Sequence, residues 1–458
     1  MHGGVSNWIQ MIIENFPEIT FSILSVSTSR EDVGEYKYEI PQNVELVKDI
    51  FLNEPAKEKK NKKVSLTKRE RKSLSDMILG DMDDIDWKDT VKFLSDYRTR
   101  WEDLLMSGDF FEIAVRYYQQ RYTRTPFADF LWTIRSIYMP LFGAIVDDFP
   151  KADIYHSVST GYAGILGAIA KNLYGKPFVL TEHGIYTRER EEEIIKSDWV
   201  KGVFKDIWIE QFYKLSKITY HSADKVITLF DDNRNIEIEL GCPPEKIEII
   251  ANGIDIDEYE IKPHSTGDET DAVAIGAVVR VVPIKDIKTM ILAFNAVKAS
   301  VPGAKLKILG PVEEDPEYFK ECLMLIESLK VADIEFTGFV KMKDYIGNMD
   351  ILLLTSISEG QPLAVLEGMA CQKPHVCTNV GGCRALLLGS GEDPFGPAGI
   401  VVPVMDVGEI SKALIRLCKE PKLREVMGQA GRKRVQEYYR QDMLINRYGE
   451  IYSRYGGE

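Results

Sequence analysis

The sequence predicts an α/β fold in which parallel strands alternate with covering helices. Two observations carry that prediction. Short β-rich runs alternate with helical stretches in both halves of the chain, the arrangement that builds a doubly wound sheet. Most of the runs are also continuously apolar, as expected of parallel strands covered on both faces. In the second half they are AVAIGAVVR (272–280), KLKILG (305–310), IEFTGFV (334–340), ILLLTS (351–356), HVCTNV (375–380) and GIVVP (399–403). Helices are expected between them, near 286–299, 316–329, 362–372 and 406–419. In the first half the runs are ITFSILSVS (19–27), ADIYHS (152–157), PFVLTEH (177–183), DKVITLF (224–230) and KIEIIAN (246–252). There the helices fall near 4–15, 161–173, 203–220 and 231–239. Ligands of such folds sit outside the carboxyl ends of the strands, so residues at strand ends are the first candidates for chemistry.

Between about 53 and 150 there is no strand signal, and this helical, charged stretch reads as an insertion in the first domain. It opens on KEKKNKKVSLTKRERK (57–72), with nine Lys or Arg against two Glu. Such a run suits a solvated helix start, or a patch for anionic lipid or an acidic partner. DMDDID (81–86) reads as solvated. The polar, turn-rich IKPHSTGDETD (261–271) is the expected linker between the two α/β halves. The domains are therefore drawn at 1–262, 263–438 and a final helix in 439–458 that packs back on the first domain. A length of 458 residues, at roughly 150 per domain, would otherwise suggest about three domains.

Composition narrows the function. Lys plus Arg is 57 and Asp plus Glu is 71, a net charge of −14, which repels a nucleic-acid backbone and argues against nucleic acid as partner. An apolar fraction of 45% is ample for packed cores. Six cysteines, Cys242, Cys322, Cys371, Cys377, Cys383 and Cys418, make no disulfide framework. The spacing Cys371-x5-Cys377-x5-Cys383 with His375 matches no common zinc pattern, so buried thiols and no metal site are expected. The opening MHGGVSNWIQ has neither a basic nor an apolar signal region. FADFLWTIRSIYMPLFGAIVDD (127–148) carries Asp129, Arg135 and Pro140 and reads as a buried or half-buried helix. A cytoplasmic chain, peripheral at most to the inner face of the cell membrane, is expected.

Several strings carry chemistry. In Ser358-Glu359-Gly360-Gln361-Pro362-Leu363-Ala364-Val365-Leu366-Glu367 a strand ends, a loop follows, and Pro362 suits the first turn of a helix. Backbone N–H groups at that helix start would face an anion. Glu359 would sit at the mouth, in reach of a sugar hydroxyl. Glu367, deeper on the helix, can accept two hydrogen bonds from a vicinal diol such as a ribose. Arg280 and Lys285, at the end of one strand and the start of the next helix, suit a diphosphate. Gly3-Gly4 opens a helix and allows close backbone approach. His183, in Thr181-Glu182-His183-Gly184, and His156 both end strands; His183 is the better placed to line a cleft, whereas His221 and His264 read as structural or exposed. Asn252-Gly253 reads as a plain turn.

Taken together, these strings resemble the retaining glycosyltransferases of family 4. The matching pieces are GGV (3–5), His183, ANGID (251–255), Arg280 with Lys285, SEGQPLAVLEGMA (358–370) and Gly381-Gly382. A narrower resemblance, in GGVSNW, the helical insertion, TEHGIYTRER, ITLFDDNR, VGGCRALL and GPAGIVVP, is to the PelF-like glycosyltransferases of Pel exopolysaccharide synthesis. The resemblance implies a GT-B fold, two doubly wound Rossmann-like domains facing a cleft. It implies a UDP-sugar donor, UDP-glucose or a related sugar, a growing polysaccharide or oligosaccharide acceptor, no cofactor or metal, and a membrane-embedded polysaccharide synthase complex as partner. Glu359 would contact the donor sugar near the reacting centre, together with Gly360, and Glu367 would bind the ribose. Arg280 and Lys285 would hold the diphosphate, and the amides near Gln361, Pro362 and Leu363 would meet phosphate or sugar. His183 would touch the donor sugar or support the acceptor side. Gly4 would approach the phosphate or acceptor, and the backbone at Gly338–Val340 would meet the base.

The opening departs from the family's pattern. Only Met1 and His2 precede Gly3-Gly4, where such a domain begins with a central strand. A chain short of its first strand is expected, with the strand's neighbours left unpaired. Two other readings stand beside the transferase: a GT-B UDP-sugar enzyme of the 2-epimerase kind, and a non-catalytic assembly subunit.

Overall fold

The computed structural model describes residues 4–28, 30, 39–52, 64–80, 82, 84–98, 101–145, 149–259, 272–391 and 393–457. The chain forms two compact units, Met1–Ile249 with Tyr448–Glu458, and Ile250–Arg447. Gly3, residues 57–63 of the basic run, Asp81, Asp83 and the expected linker with His264 lie outside the described residues.

The first unit opens with α1 (Gly4–Asn15), β1 (Phe21–Ser27) and β2 (Val44–Phe51). The helical insertion follows as α2 (Lys68–Leu79), α3 (Trp87–Tyr97), α4 (Trp101–Leu105), α5 (Gly108–Tyr117) and α6 (Phe127–Ala144). Then come β3 (Tyr155–Ser157), α7 (Gly161–Tyr174), β4 (Phe178–Glu182), α8 (Tyr186–Lys196), α9 (Lys205–Ser222), β5 (Lys225–Thr228), α10 (Asp231–Glu239) and β6 (Ile247–Ile249). All pairings are parallel, but the strands divide into two sheets, β1-β2 and β3-β4-β5-β6. The sequence reading has no strand at 44–51. Glu45, Lys48 and Asp49 interrupt the apolar run there, and of β2 only Ile50 is buried, so the burial that makes a strand legible is nearly absent.

The insertion carries its own sequence logic. Thr67 and Glu70 cap α2 reciprocally, and the side chains of Asp86 and Ser107 cap α3 and α5, each accepting from a backbone N–H that the helix cannot satisfy. The stretch expected to be a half-buried helix is α6, which buries Phe130, Ile134, Ile137, Tyr138, Leu141 and Phe142. These join one core with residues of α7 and α9. No helix among the described residues is long and apolar enough to cross a membrane.

At the carboxyl ends of β4 and β5, Glu182 faces Thr228 in register. Glu182 accepts from Tyr220 Oη at 2.6 Å and Thr160 Oγ1 at 3.0 Å, while Glu237 on α10 is equally buried. Burial, and for Glu237 the charge of Glu182 besides, raises both carboxyls above the usual range, as desolvation of a charged form requires.

The second unit is built on a six-stranded parallel sheet of order β12-β11-β10-β7-β8-β9. Its elements run β7 (Ala274–Val278), α11 (Ile287–Ser300), β8 (Lys305–Leu309), α12 (Pro316–Leu329), β9 (Ile334–Gly338), α13 (Met342–Ile346), β10 (Ile351–Leu354), α14 (Leu363–Ala370), β11 (His375–Thr378), α15 (Cys383–Leu388), β12 (Gly399–Val402), α16 (Val407–Lys419) and α17 (Pro421–Tyr438). β10 is buried along its whole length, as are β11 and most of β7, which is why these runs read as continuously apolar. A buried cation is fully satisfied here. Arg434 binds Asp393 at 2.7 and 2.9 Å and donates to the carbonyls of Leu386, Leu387 and Gly396, as a charge without exposure must.

The last helix, α18, spans Gln441–Gly456, and from Tyr448 onward it belongs to the first unit. There Tyr448 Oη lies 2.9 Å from Thr181 Oγ1, and His156 joins Thr181 at 2.8 Å and Tyr452 Oη at 2.9 Å. The residues 250–259 belong to the second unit, ahead of the boundary drawn at 262. They are fastened by a bridge between Ile254 and Arg440 and by the Asn252 N–H.

Candidate functional site

The strand order of the second unit reverses between β7 and β10. Loops leaving two such strands turn to opposite faces of the sheet, and a crevice opens between them. The loop after β7 ends in a short turn, Pro283–Lys285, and Asp286, at a left-handed φ of 47°, caps α11 with its side chain. The loop after β10 carries Ser356, Glu359 and Gly360 to the start of α14. Thr355 Oγ1 donates to the carbonyls of Lys285 and Asp286 at 2.9 and 3.1 Å, and the Ile357 N–H to Ile284 at 2.9 Å. The two loops are thus one bonded structure.

At its centre Lys285 Nζ lies 2.5 Å from Glu359 Oε1, and Ser356 Oγ donates to the same oxygen at 2.5 Å. The lysine and glutamate side chains are only 15% and 11% exposed, so their attraction is weakly screened. Both bonds fall on Oε1, which leaves Oε2 to accept from a hydroxyl. The loop after β11 closes against the same segment. Gly382 N–H donates to Gly360 O at 2.8 Å, and Thr378 Oγ1 to Ser356 O at 2.6 Å.

Pro362 is expected in the first turn of the helix; it stands one position earlier, as the residue before Leu363, and among the described residues no side-chain hydrogen bond caps the helix start. An uncapped N-terminus offers N–H groups and the positive end of the helix dipole to an anion. Gln361 is expected near phosphate or sugar, but its side chain turns inward. Its Oε1 accepts the Asn252 N–H at 2.6 Å, which leaves its backbone for a ligand. This also corrects the reading of Asn252-Gly253 as a plain turn. Asn252 is buried, and a Cβ on Gly253 would meet Arg440 O at 2.5 Å.

Glu367 is half-buried on α14 and takes a hydrogen bond from the Tyr259 hydroxyl. Burial raises its carboxyl, and the Tyr259 bond and Lys343 oppose that rise. Arg280 lies just past β7 but is turned to Glu314, 2.6 Å away, and its side chain is 44% exposed. The structure therefore joins Lys285 to Glu359 and leaves Arg280 with a different carboxylate. Val340 follows β9, two strands from β7, beside Gly338 at φ 69°. Leu363 opens α14.

Gly4 and His183 belong to the other unit. Gly4 begins α1, and His183 follows β4 with its ring 4.7 Å from that of Trp8. Burial lowers the His183 imidazole to about 4, so it is neutral at pH 7. Among the described residues its Nε2 is buried without a hydrogen-bond partner. Sequence reasoning passes over Ser356 and Tyr259. Ser356 is signalled only by its place three residues before Glu359, and Tyr259 lies far from Glu367 in sequence. Among the described residues no group of three or more His, Cys, Asp or Glu is placed to hold a metal ion, and the six cysteines are buried and form no disulfide with one another.

Comparison with known proteins gives two family matches. Residues 1–245 match the domain of unknown function DUF3492, and residues 258–434 match the glycosyl transferases group 1. A D-inositol 3-phosphate glycosyltransferase of Kribbella flavida is 24% identical over 303 residues, 62% of this chain and 68% of that protein. The sucrose-phosphate synthase of Thermosynechococcus elongatus superposes with a TM-score of 0.61 at 14% identity, over 99% of this chain and 93% of its own. HepE of Anabaena, in complex with UDP, gives a TM-score of 0.53 at 19% identity, over 66% of this chain and 79% of its own. These likenesses show the GT-B fold.

Proposed function

Since the chain belongs to the DUF3492 family and its second half to the group 1 glycosyltransferases, we propose that it is a PelF-like retaining transferase that moves a sugar from a UDP-sugar to a growing exopolysaccharide. The observation that carries this reading is the Lys285–Glu359 pair where the strand order reverses between β7 and β10, beside the uncapped start of α14. A cation, an acceptor oxygen and a helix N-terminus stand together there, which is the set a nucleotide-sugar needs. The UDP held by the Anabaena protein fits such a donor.

As the bond between the sugar and the diphosphate breaks, negative charge grows on the leaving diphosphate. Lys285 and the first N–H groups of α14 stabilise that charge more in the transition state than in the ground state, with Arg280 joining once it leaves Glu314. The reading assigns this charge to side chains and backbone and not to a metal ion. Lys285 is already held by Glu359, so little reorganisation accompanies the step. Glu359 Oε2 accepts from a donor-sugar hydroxyl, Glu367 from the ribose, and the Gly338–Val340 backbone meets the base. The acceptor hydroxyl attacks from the face the leaving group departs and passes its proton to the departing phosphate oxygen, which asks for no enzyme nucleophile. Neutral His183 serves a sugar hydroxyl, and Gly4 serves the phosphate or acceptor. A membrane-embedded synthase complex would then receive the product.

The test is a panel of UDP-sugars with oligosaccharide acceptors, read as UDP release and as product anomeric configuration by proton NMR. Turnover of UDP-glucose or a related UDP-sugar with the donor's configuration retained is the expected result. An inverted product removes the retaining mechanism, an epimerised nucleotide sugar places the chain with the 2-epimerases, and silence across the panel removes the transferase.

A further inference from the structure

We infer that Tyr259 is a positioning residue that holds the Glu367 carboxylate ready for the ribose of the donor nucleotide. The inference rests on the ribose role proposed for Glu367 and adds the group that aims it.

Tyr259 ends a strap of chain, residues 252–259, that is fastened to α14 at both ends. At the first end the Asn252 N–H binds Gln361, just before the helix. At the second the Tyr259 hydroxyl binds Glu367, on the helix itself. Two further contacts fix the tyrosine. Its carbonyl accepts from Arg432 Nη1 at 3.4 Å, and the same guanidinium donates to Ala370 O at the end of α14. Lys343 Nζ stands 5.8 Å from the ring centroid and pairs with Glu258. Tyr259 is 7% exposed, so its hydroxyl has one settled direction.

A glutamate on a helix has several rotamers, and ordering it costs free energy when a ligand binds. A carboxylate can accept from more than one donor at once. Tyr259 takes one of those positions and leaves others for a vicinal diol, so the ordering is complete before the nucleotide arrives. Glu258 and Lys343 neutralise one another beside the site and add no net charge to it.

The experiment compares UDP with 2′,3′-dideoxy-UDP, by calorimetry, on the full chain and on Tyr259→Phe. The wild type should prefer UDP, and the variant should lose on the order of tenfold in UDP affinity, the effect of a hydrogen bond to a charged group, while binding the dideoxy compound unchanged. With a UDP-sugar, KM should rise and kcat hold. Phe fills the same space, so the variant should fold, with its melting temperature lowered only by the lost hydrogen bond, and a matching loss for both nucleotides would mark a merely structural role and overturn the inference. Equal preference for UDP in variant and wild type overturns it as well, leaving the ribose role of Glu367 intact. A wild type that does not distinguish the two nucleotides removes that ribose role, and the inference with it.

Discussion

Glu359→Gln should fold, bind UDP and lose sugar transfer by roughly 10²- to 10³-fold in kcat, the scale of removing one preorganised polar group from a transition state. The carboxylate is held by Lys285 and by Ser356, each at 2.5 Å, so the amide inherits a fixed position and only the charge changes. Lys285 then keeps an acceptor but loses the opposite charge beside it in a weakly exposed place, at 15% exposure of its side chain. A cation no longer neutralised binds a diphosphate at least as well, and so the loss falls on kcat and not on UDP affinity. Steady-state kinetics together with UDP titration separate the two. An active Glu359→Gln enzyme would remove Glu359 from the reacting centre.

Gly381→Ala should cost activity on a comparable scale for a different reason. Gly381 has φ 49°, and an added Cβ would lie 2.1 Å from Glu359 O and 2.3 Å from Gly360 O. Both are backbone atoms, so the loop that presents Glu359 has to move. A shift of about 1 Å at a reacting group can cost about a hundredfold in rate. The left-handed backbone adds about 1–2 kcal/mol of strain for a residue with a Cβ. Gly391→Ala separates these effects, because Gly391 has φ 60° and open space around it. That variant should lose stability on thermal melting and keep its kcat; if Gly381→Ala also keeps its kcat, the loop after β11 does not set the position of Glu359.

Much of the second unit was legible because its strands are buried on both faces. ILLLTS and HVCTNV announce β10 and β11, and the Ser358–Glu367 string, with a loop between an apolar strand and a helix, announces the site. What stayed hidden depends on tertiary contacts between distant residues. β2 has too few buried positions to show a pattern. Asn252 looks like a turn residue until Gln361 is seen to accept from its N–H. Arg280 and Lys285 look like one pair of cations, yet Glu314 draws one away and Glu359 holds the other. In the first unit, Glu182 hides inside the string that supplies His183, since nothing local shows that Tyr220 and Thr160 converge on it.

The place where strand order reverses between β7 and β10 should hold the donor diphosphate. A crystal structure of the full chain with UDP tests it most directly. Diphosphate oxygens should lie within hydrogen-bond distance of Lys285 Nζ and the first N–H groups of α14, with the ribose on Glu367. UDP bound away from both loops, with the Lys285–Glu359 pair untouched, would contradict it.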